Sequence, residues 1–369
     1  MLPGMNVVWI KRDARITDHE PLAAAAMCHL PMLLLYIYDP CQMTSDCYHE
    51  AHHTFINDGL RDFDKRVCTL AAEGGGGLTV RSGCAANVFA ELHARVPIGE
   101  IFSHDDVGNK VAAGCCCKVD AWAAASGVKW RKFRQDGVSD VRHEQLDEGS
   151  WAKKWSTQMM QPQASTPTRL RLVSTDTIAR GRIADAHDCG VKHLGARPGA
   201  QHGGETLGCG MLTSFLERRG EGYCDELSSP LSGWDSCSRL SPYLAWGHVS
   251  LRHVFQALSK RQQELRDAKA RGEDTKRWLK SLAALGSRLR WRSHFSQKLH
   301  DQPSIEEENM CQAYDVLRTE VDGSKLDAWV AGKTGFPMVS PRPVCLSSSQ
   351  PLSPAPRSFC FSFACAYVD

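Results

Sequence analysis

The sequence has no apolar run long enough to cross a lipid bilayer. A membrane-spanning helix needs about 20 apolar residues, and the longest apolar stretch here runs only from Met32 to Tyr38. The first ten residues also lack a basic region followed by a long apolar core, so we expect no secretory signal. These absences predict a soluble intracellular protein, and they do not distinguish nucleus, cytoplasm and organelle.

The motifs of several enzyme and metal-binding classes are missing as well. No G-x-G-x-x-G follows the first predicted strand, which argues against a dinucleotide-binding dehydrogenase. A hydrolase is excluded because there is no nucleophile elbow. The chain has 16 cysteines but no paired C-x2-C, and the adjacent thiols of Cys115, Cys116 and Cys117 cannot readily close a tetrahedral site. We therefore expect reduced thiols and no bound metal.

Residues 1–135 alternate between strand and helix patterns. Short apolar runs predict strands at residues 6–10, 33–38, 78–80, 100–103 and 128–133. Helical patterns separate these runs at residues 20–29, 54–73, 85–95 and 110–126. Strand–helix alternation at this spacing predicts an α/β domain with a doubly wound, Rossmann-like parallel sheet.

The rest of the chain divides into three parts. Residues 136–203 are rich in proline, glycine and serine and predict a connector over the surface, on which Trp151 and Trp155 dock a helix on the first domain. Residues 204–338 show only helical periodicity and predict an all-α domain. Residues 339–369 are rich in serine and proline, and we expect them to be disordered.

Positive charge is concentrated in the predicted helical domain. Between Arg252 and Lys298 there are 13 Lys or Arg and 4 Asp or Glu, although the whole chain carries a net charge of only +2. Such a basic module is typical of proteins that bind a phosphate-bearing partner. A solvated helical surface is the alternative interpretation.

Within this region, Trp291 lies between two arginines. Arg288 and Arg292 are four residues apart and share a helix face, and Trp291 lies beside them. A flat ring flanked by guanidinium groups suits stacking on a flavin or on an extruded base. The alternative is a tryptophan packed in a helical core.

Residues 237–250, CSRLSPYLAWGHVS, predict a phosphate-binding loop. Ser241 can cap a helix, and Pro242 suits the first helical position. The N–H groups of a helix start attract anions, Ser238 and Ser241 add hydroxyl donors, and Arg239 adds a planar cation. The alternative is an ordinary Ser-Pro helix cap with a surface arginine.

Six segments, in order along the chain, resemble the photolyase/cryptochrome family. They are residues 7–19, 103–109, 214–216 with Tyr223, 237–250, 289–292 and 328–337. The resemblance implies an α/β antenna domain followed by a helical domain that binds FAD. By position, it implies a FAD site made of Tyr223, Cys237, Ser238, Arg239, Leu240, Ser241, Arg288 and Arg292. Trp291 would then lie next to a base flipped out of DNA.

The resemblance also implies an activity, that of a deoxyribodipyrimidine photo-lyase. In this family, excited reduced FAD gives an electron to a pyrimidine dimer in DNA, and the dimer splits. A monomer that binds DNA with pyrimidine dimers is expected, with an antenna pigment of the folate or deazaflavin type in the first domain. No catalytic side chain is identified. A cryptochrome-type blue-light receptor without repair activity and a flavin-free α/β remnant are the alternatives.

Three departures from the family pattern are visible. Arg288 stands where relatives often have a carboxylate, and Cys237 replaces a usual Thr or Ser. The pattern stops at Val339, so we expect a truncated helical domain with an exposed core face. At ~25 cal/mol per Å² of apolar surface, a few hundred Å² would cost several kcal/mol. Because Val-Ser at this point resembles a translated splice donor, our hypothesis is a retained intron or a mispredicted gene model.

Overall fold

The computed structural model describes residues 4–45, 47–72, 76–105, 107–139, 148–192, 199–229, 232–317, 322–330 and 333–335. The predicted tail at residues 339–369, with the boundary at Val339, lies outside these ranges and stays a prediction. In the part of the chain that is described, no helix combines the length and the apolar content that a bilayer crossing needs.

A five-stranded parallel sheet forms the first part of the molecule, in the order β3-β2-β1-β4-β5. The strands are β1 Met5–Ile10, β2 Met32–Tyr38, β3 Leu78–Ser82, β4 Ile98–His104 and β5 Lys129–Phe133. The helices are α1 Glu20–Ala26, α2 Pro40–Met43, α3 Glu50–Leu70, α4 Ala85–Arg95 and α5 Lys110–Ala125. The predicted α/β class and strand–helix alternation are confirmed.

Helices cover the sheet on both faces. Val8 and Ile10 pack in one apolar cluster with residues of α1 and α3, whereas Val7 and Trp9 pack in a second cluster with α4 and α5. Strands buried on both faces consist of continuous apolar runs, because both sets of alternating side chains leave water. This explains why β1 and β2 are buried along their whole length.

The sequence predicted a connector that runs over the surface, but part of the connector is buried. Leu170 is fully buried in the core of the first domain, and it forms an isolated parallel bridge with Ala71. Leu172 bridges Met32 in the same way, and the Arg180 carbonyl accepts a hydrogen bond from the N–H of Val80. The connector therefore satisfies backbone groups beside the sheet, a role for which proline content gives no signal.

In the described residues of the second part of the molecule, the regular elements are helices and 3-10 turns. Its helices are α6 Glu148–Met159, α7 Glu205–Glu217, α8 Tyr223–Glu226, α9 Gly233–Ser236, α10 Ser241–Ala245, α11 Leu251–Ala270, α12 Lys276–Asp301 and α13 Gly323–Val330. A 3-10 turn, Arg219–Gly222, joins α7 to α8. Their apolar sides, including Leu258, Leu282 and Leu285, form one buried cluster.

Helix α6 docks on the helical domain, and the predicted docking on the first domain is wrong. Trp155 lies edge-on to Phe255 of α11 at 5.0 Å, and Trp151 lies edge-on to His294 of α12 at 5.5 Å. Both tryptophans belong to the helical cluster. Their four-residue spacing predicted a shared face, but the element that covers this face was set by tertiary packing.

The two domains meet through close backbone contacts. Gly247 has a φ of +61°, and a Cβ at this position would overlap the carbonyl oxygen of Arg12. The buried Glu205 carboxylate accepts hydrogen bonds from the N–H groups of Ile16 and Thr17 and pairs with Arg66. The turn after α10 is therefore fixed against the loop after β1.

Candidate functional site

The candidate phosphate loop, residues 237–241, leads into the short helix α10. The structure places Leu240 at the N-cap and Ser241 at the first helical position, so the predicted cap at Ser241 is wrong by one residue. The reason is that the Oγ of Ser238 accepts a hydrogen bond from the N–H of Leu240 at 3.3 Å, which turns the chain one residue earlier. Pro242 remains within the first turn, where its missing N–H costs nothing.

The guanidinium group of Arg219 donates hydrogen bonds to carbonyl oxygens of this loop. Arg219 donates to the carbonyls of Asp235 at 3.2 Å, Cys237, and Ser238 at 3.0 Å. The amide of Gln201 donates to the carbonyl of Arg239 at 2.9 Å. Three carbonyls of the loop, and that of Asp235 just before it, are thus already engaged. The groups that the loop can offer to a ligand are therefore mainly N–H and O–H donors.

The loop also contains an unusual backbone conformation. Arg239 has a φ of +57°, in the left-handed region that costs an L-residue about 1–2 kcal/mol. Leu240 follows in a right-handed conformation, with φ −88° and ψ −13°. Adjacent residues of opposite hand gather successive N–H groups in a concave nest that favours anions. The guanidinium of Arg239 lies 3.6 Å from the ring centroid of Trp234.

The other predicted pocket residues near this loop are buried. Cys237, Ser238 and Leu240 are buried, and Ser241 is half-buried. Tyr223 is fully buried and lies edge-on to Phe215 at 5.5 Å. The structure thus brings Tyr223 and the loop into one region of the helical domain, in the same buried cluster as Cys237 and Leu240.

Arg292 reaches the same region from α12. Its guanidinium donates to the Leu244 carbonyl at 3.0 Å, on the helix that starts in the loop, and it pairs with Asp136 at 3.0 Å. The side chain is largely buried, so this pair joins the end of β5 to α10. Arg288, one turn earlier on α12, is half-buried. The predicted contacts of both arginines with a flavin remain predictions.

Trp291 points to a different side of α12 and is 51% exposed. Its ring contacts His294 and Phe295, each at a centroid distance of 5.7 Å. Arg288 and Lys298 lie on the same helical face, at the spacings of three and seven residues that align side chains. We call these five residues, 288, 291, 294, 295 and 298, the aromatic stripe. The alternative of a tryptophan buried in a core does not hold.

The basic stretch between Arg252 and Lys298 is partly neutralised by the protein itself. Ion pairs engage six of its cations, which are Arg252, Arg261, Arg271, Arg277, Lys280 and Arg292. Among the described residues, Arg288, Arg290 and Lys298 have no ion pair. Four more cations of the described stretch, Lys260, Arg266, Lys269 and Lys276, also have no ion pair, so only part of the remaining positive charge lies next to Trp291.

A buried carboxylate with two histidines lies where β1 and β4 end. The Oδ2 of Asp13 is 2.7 Å from Nδ1 of His104 and 3.2 Å from Nε2 of His19. Burial lowers the pKa of His104 to about 3, and hydrogen bonds from both histidines hold the pKa of Asp13 well below its usual value. The cluster is therefore a buried carboxylate with a neutral His104 beside it and His19 on its other side.

These three residues are close enough to hold a metal ion, but their hydrogen bonds argue against it. Nδ1 of His19 accepts a hydrogen bond from the N–H of Leu22 at 3.0 Å, so the ring proton lies on Nε2. A metal at Nε2 would require loss of this helix cap or an imidazolate. The cluster instead fixes the loop after β1, and the absence of a bound metal stays a prediction.

Sequence reasoning missed two residues of the site, Arg219 and Gln201. Both act on loop carbonyls that are 18 to 38 residues away along the chain. Neither residue type stands out in a helical or connector segment. A weak signal was available for Arg219. It follows Arg218 at the end of α7, and the residues three and four positions before it, Leu216 and Phe215, are not acidic and cannot form an ion pair with it.

Comparison with known proteins gives two family matches. Residues 6–160 match the model described as DNA photolyase, and residues 284–368 match the FAD binding domain of DNA photolyase. Together the two ranges cover more than half of the chain. The second range runs past Val339 to residue 368. This match therefore does not support the predicted end of the family pattern at Val339, which stays a prediction.

Individual relatives span about the same part of the chain. The deoxyribodipyrimidine photo-lyase of Halobacterium salinarum is 27% identical over 360 residues, covering 91% of this chain and 69% of the relative. A Synechocystis cryptochrome structure has a TM-score of 0.76 and 19% identity, over 92% of this chain and 70% of the other. An archaeal photolyase from Sulfolobus tokodaii, described with two FAD molecules, has a TM-score of 0.65 and 18% identity, over 91% and 69%. At these identities the structural likeness concerns the fold.

Proposed function

Because this chain belongs to the photolyase/cryptochrome family, we propose that it is a light-driven DNA photolyase that uses FAD to split UV-induced pyrimidine dimers. The family match to a FAD-binding domain supports the cofactor. The relative from Halobacterium is named for this activity. A protein of this kind works on DNA, and the site geometry suggests how each ligand would be held.

The donor-rich loop is the observation that carries the proposal. Its carbonyls at Cys237, Ser238 and Arg239 are engaged by Arg219 and Gln201, while left- and right-handed residues in succession gather N–H groups. A pyrophosphate requires donors and no competing acceptors, so this donor set fits the diphosphate of FAD.

The side chains around the loop would complete the cofactor site. Ser238, Arg239, Leu240 and Ser241 would hold the phosphates, with Tyr223 and Cys237 behind them. Arg288 and Arg292 would approach the flavin from α12. Reduced FAD in this place would supply the photo-excited electron that splits the dimer.

The aromatic stripe supports a DNA partner with an extruded base. Trp291 offers a half-exposed ring, and Arg288 and Lys298 lie on the same helical face. A base taken out of the duplex is held by stacking on aromatic rings and by cations near its phosphates. We propose that Trp291 stacks on the flipped pyrimidine dimer and that the protein acts as a monomer.

An antenna pigment of the folate or deazaflavin type is a further part of the proposal. Half-buried rings lie where β1 and β2 end: Trp246 is 5.0 Å from the Arg12 guanidinium and 5.6 Å from the His52 ring. Tyr48 lies edge-on to His52 at 6.0 Å. Such a group of flat surfaces suits a planar pigment at the carboxyl edge of a parallel sheet.

The test of the cofactor site is the near-UV and blue absorption spectrum of the purified chain, before and after denaturation. We expect a flavin that is released on denaturation, and a second chromophore if the antenna proposal is right. Replacing both Ser238 and Ser241 by alanine should weaken FAD binding roughly tenfold. Ser259→Ala is the matched control, because this hydroxyl donates to its own helix at the Phe255 carbonyl and has no other hydrogen bond among the described residues.

The repair reaction separates the proposed function from its alternatives. Blue light and a reductant should restore pyrimidines in an oligonucleotide that carries one cyclobutane dimer. Bound FAD without dimer splitting would instead favour the cryptochrome-type receptor, which the fold likeness to the Synechocystis cryptochrome also supports. Folded protein that binds no FAD would refute both functions and leave the flavin-free remnant.

A further inference from the structure

We propose that Arg219 is the positioning residue of the phosphate loop, an inference that rests on the proposed FAD site. It acts through the loop backbone and does not touch the ligand. Its guanidinium joins three separate pieces of chain: the end of α7, helix α9, and the start of the loop.

The hydrogen bonds of Arg219 use its full donor capacity. Nε donates to Oγ of Ser214 at 2.9 Å, and the two terminal nitrogens donate to the carbonyls of Met211, Asp235, Cys237 and Ser238. A guanidinium has five N–H groups in a rigid fork. With five protein oxygens engaged, no donor is left for a phosphate, so the residue shapes the loop without binding the ligand.

The backbone of the loop shows what this shaping achieves. The Ser238 carbonyl is held by Arg219, and the next carbonyl, of Arg239, is held by Gln201. These two bonds lie on either side of the left-handed residue Arg239. A strained conformation persists only where its surroundings over-determine it. Arg219 and Gln201 supply that constraint and keep the N–H nest assembled before any ligand arrives.

The place of Arg219 in the chain adds a second effect. It starts the 3-10 turn Arg219–Gly222, directly before Tyr223, and its guanidinium carbon lies 6.0 Å from the Phe215 ring centroid. The same ring packs edge-on against Tyr223. Arg219 therefore holds the loop and Tyr223 at a fixed distance from each other. These two are the predicted sides of the phosphate site.

The test compares Arg219→Gln and Arg219→Lys with Arg261→Gln in the full chain. Arg261 is the matched control, because it also donates to a backbone carbonyl near the end of α7, that of Leu216 at 3.1 Å, but does not contact the loop. Two quantities are measured. One is amide hydrogen exchange of residues 236–241 without ligand, and the other is the affinity for FAD and for ADP, which carries the diphosphate alone.

We expect faster exchange at residues 236–241 in both Arg219 variants and roughly tenfold weaker binding of FAD and ADP. The Arg261 variant should keep wild-type exchange in the loop and wild-type affinity, even if its melting temperature falls. Unchanged loop exchange in Arg219→Gln, or unchanged affinity with faster exchange, would overturn the inference. If the wild-type chain binds neither FAD nor ADP, the proposed function fails, and the exchange data still decide whether Arg219 fixes the loop.

Discussion

Neighbouring residues of α12 have opposite environments. Arg292 is largely buried and bonded to Asp136 and Leu244, whereas the adjacent Trp291 is 51% exposed. Successive positions on a helix lie about 100° apart, so one faces the core and the other faces solvent. The division suits the proposed roles, because Arg292 joins two domains and Trp291 offers a ring to a partner.

Trp291→Ala should weaken binding of an oligonucleotide that carries a pyrimidine dimer by about tenfold or more. The physical reason is that stacking of a base on an aromatic ring contributes about 1–3 kcal/mol. Fluorescence anisotropy with a labelled oligonucleotide measures the effect.

Two further variants make this result specific. Trp291→Phe should restore most of the affinity, because phenylalanine keeps a stacking surface. Tyr314→Ala removes a ring that is 59% exposed and lies outside the aromatic stripe, so it should bind like the wild type. Equal affinity of Trp291→Ala and the wild type would exclude Trp291 from the DNA surface.

At the scale of elements, the short helix α10 is held at both of its ends. Its first residue follows the loop fixed by Arg219, and its last turn runs into Gly247, whose carbonyl accepts a hydrogen bond from Arg15 at 2.9 Å. A five-residue helix has little stability of its own, because few hydrogen bonds repay its nucleation. Its position therefore depends on contacts with the loop after β1.

Gly247→Ala should destabilise the protein by about 3 kcal/mol or more, because the new Cβ would overlap the Arg12 carbonyl in addition to the left-handed strain. Gly272→Ala is the control: this glycine also has a positive φ, +93°, but open space lies around it. It should cost only about 1–2 kcal/mol.

Urea unfolding, followed by circular dichroism, compares the two variants. If Gly247→Ala loses no more stability than Gly272→Ala, the close approach between α10 and the loop after β1 is not a structural constraint. Weaker FAD binding by Gly247→Ala at a temperature where it is folded would connect this contact to the cofactor site.

At the scale of the whole molecule, the buried neutral side chain of His248 joins the two domains. His248 stacks on Phe55 of α3 at 4.9 Å, and its Nδ1 accepts a hydrogen bond from the N–H of Gly204. Burial lowers the pKa of His248 to about 3. It does the same for His104, the last residue of β4, which lies beside Asp13. Both side chains are packed where an added proton cannot be solvated.

Lowering the pH should therefore destabilise the protein already at pH values well above those at which carboxylates titrate. Below pH 6.5 the unfolded chain takes up a proton at each of these histidines, while the folded protein does not until about pH 3. The free energy of unfolding falls as the pH falls through this window, by about 2 kcal/mol for each histidine between pH 7 and pH 5. Urea unfolding at a series of pH values measures the slope.

His248→Gln should make this slope shallower, because this group no longer takes up a proton on unfolding. His104 keeps part of the slope, as do His53 and His253, whose pKa values burial also lowers. His29→Gln, at an exposed position, is the control and should keep the wild-type slope. A wild-type slope in His248→Gln would mean that His248 does not couple domain packing to pH.

Much of the fold follows from local sequence. The apolar runs around Val8 and Leu34 predicted the strands, and the alternation with amphipathic helices predicted the sheet class, because burial of periodic apolar faces acts over a few residues. The candidate phosphate loop was also predicted locally, from two serines, an arginine and a proline within five positions. Local pattern even placed Trp291 and Arg292 together on one helix.

Only the tertiary structure decided which groups these residues meet. Arg292 pairs with Asp136, 156 positions away, and Trp155 packs on α11 instead of the first domain. Arg219 and Gln201 became visible only when the loop carbonyls lay beside them. Propensity and periodicity act between residues close in sequence, whereas the partner of a buried charge or carbonyl is set by how the chain closes in space. The sequence therefore determined the elements and the chemistry available, and the packing determined their assembly into a site.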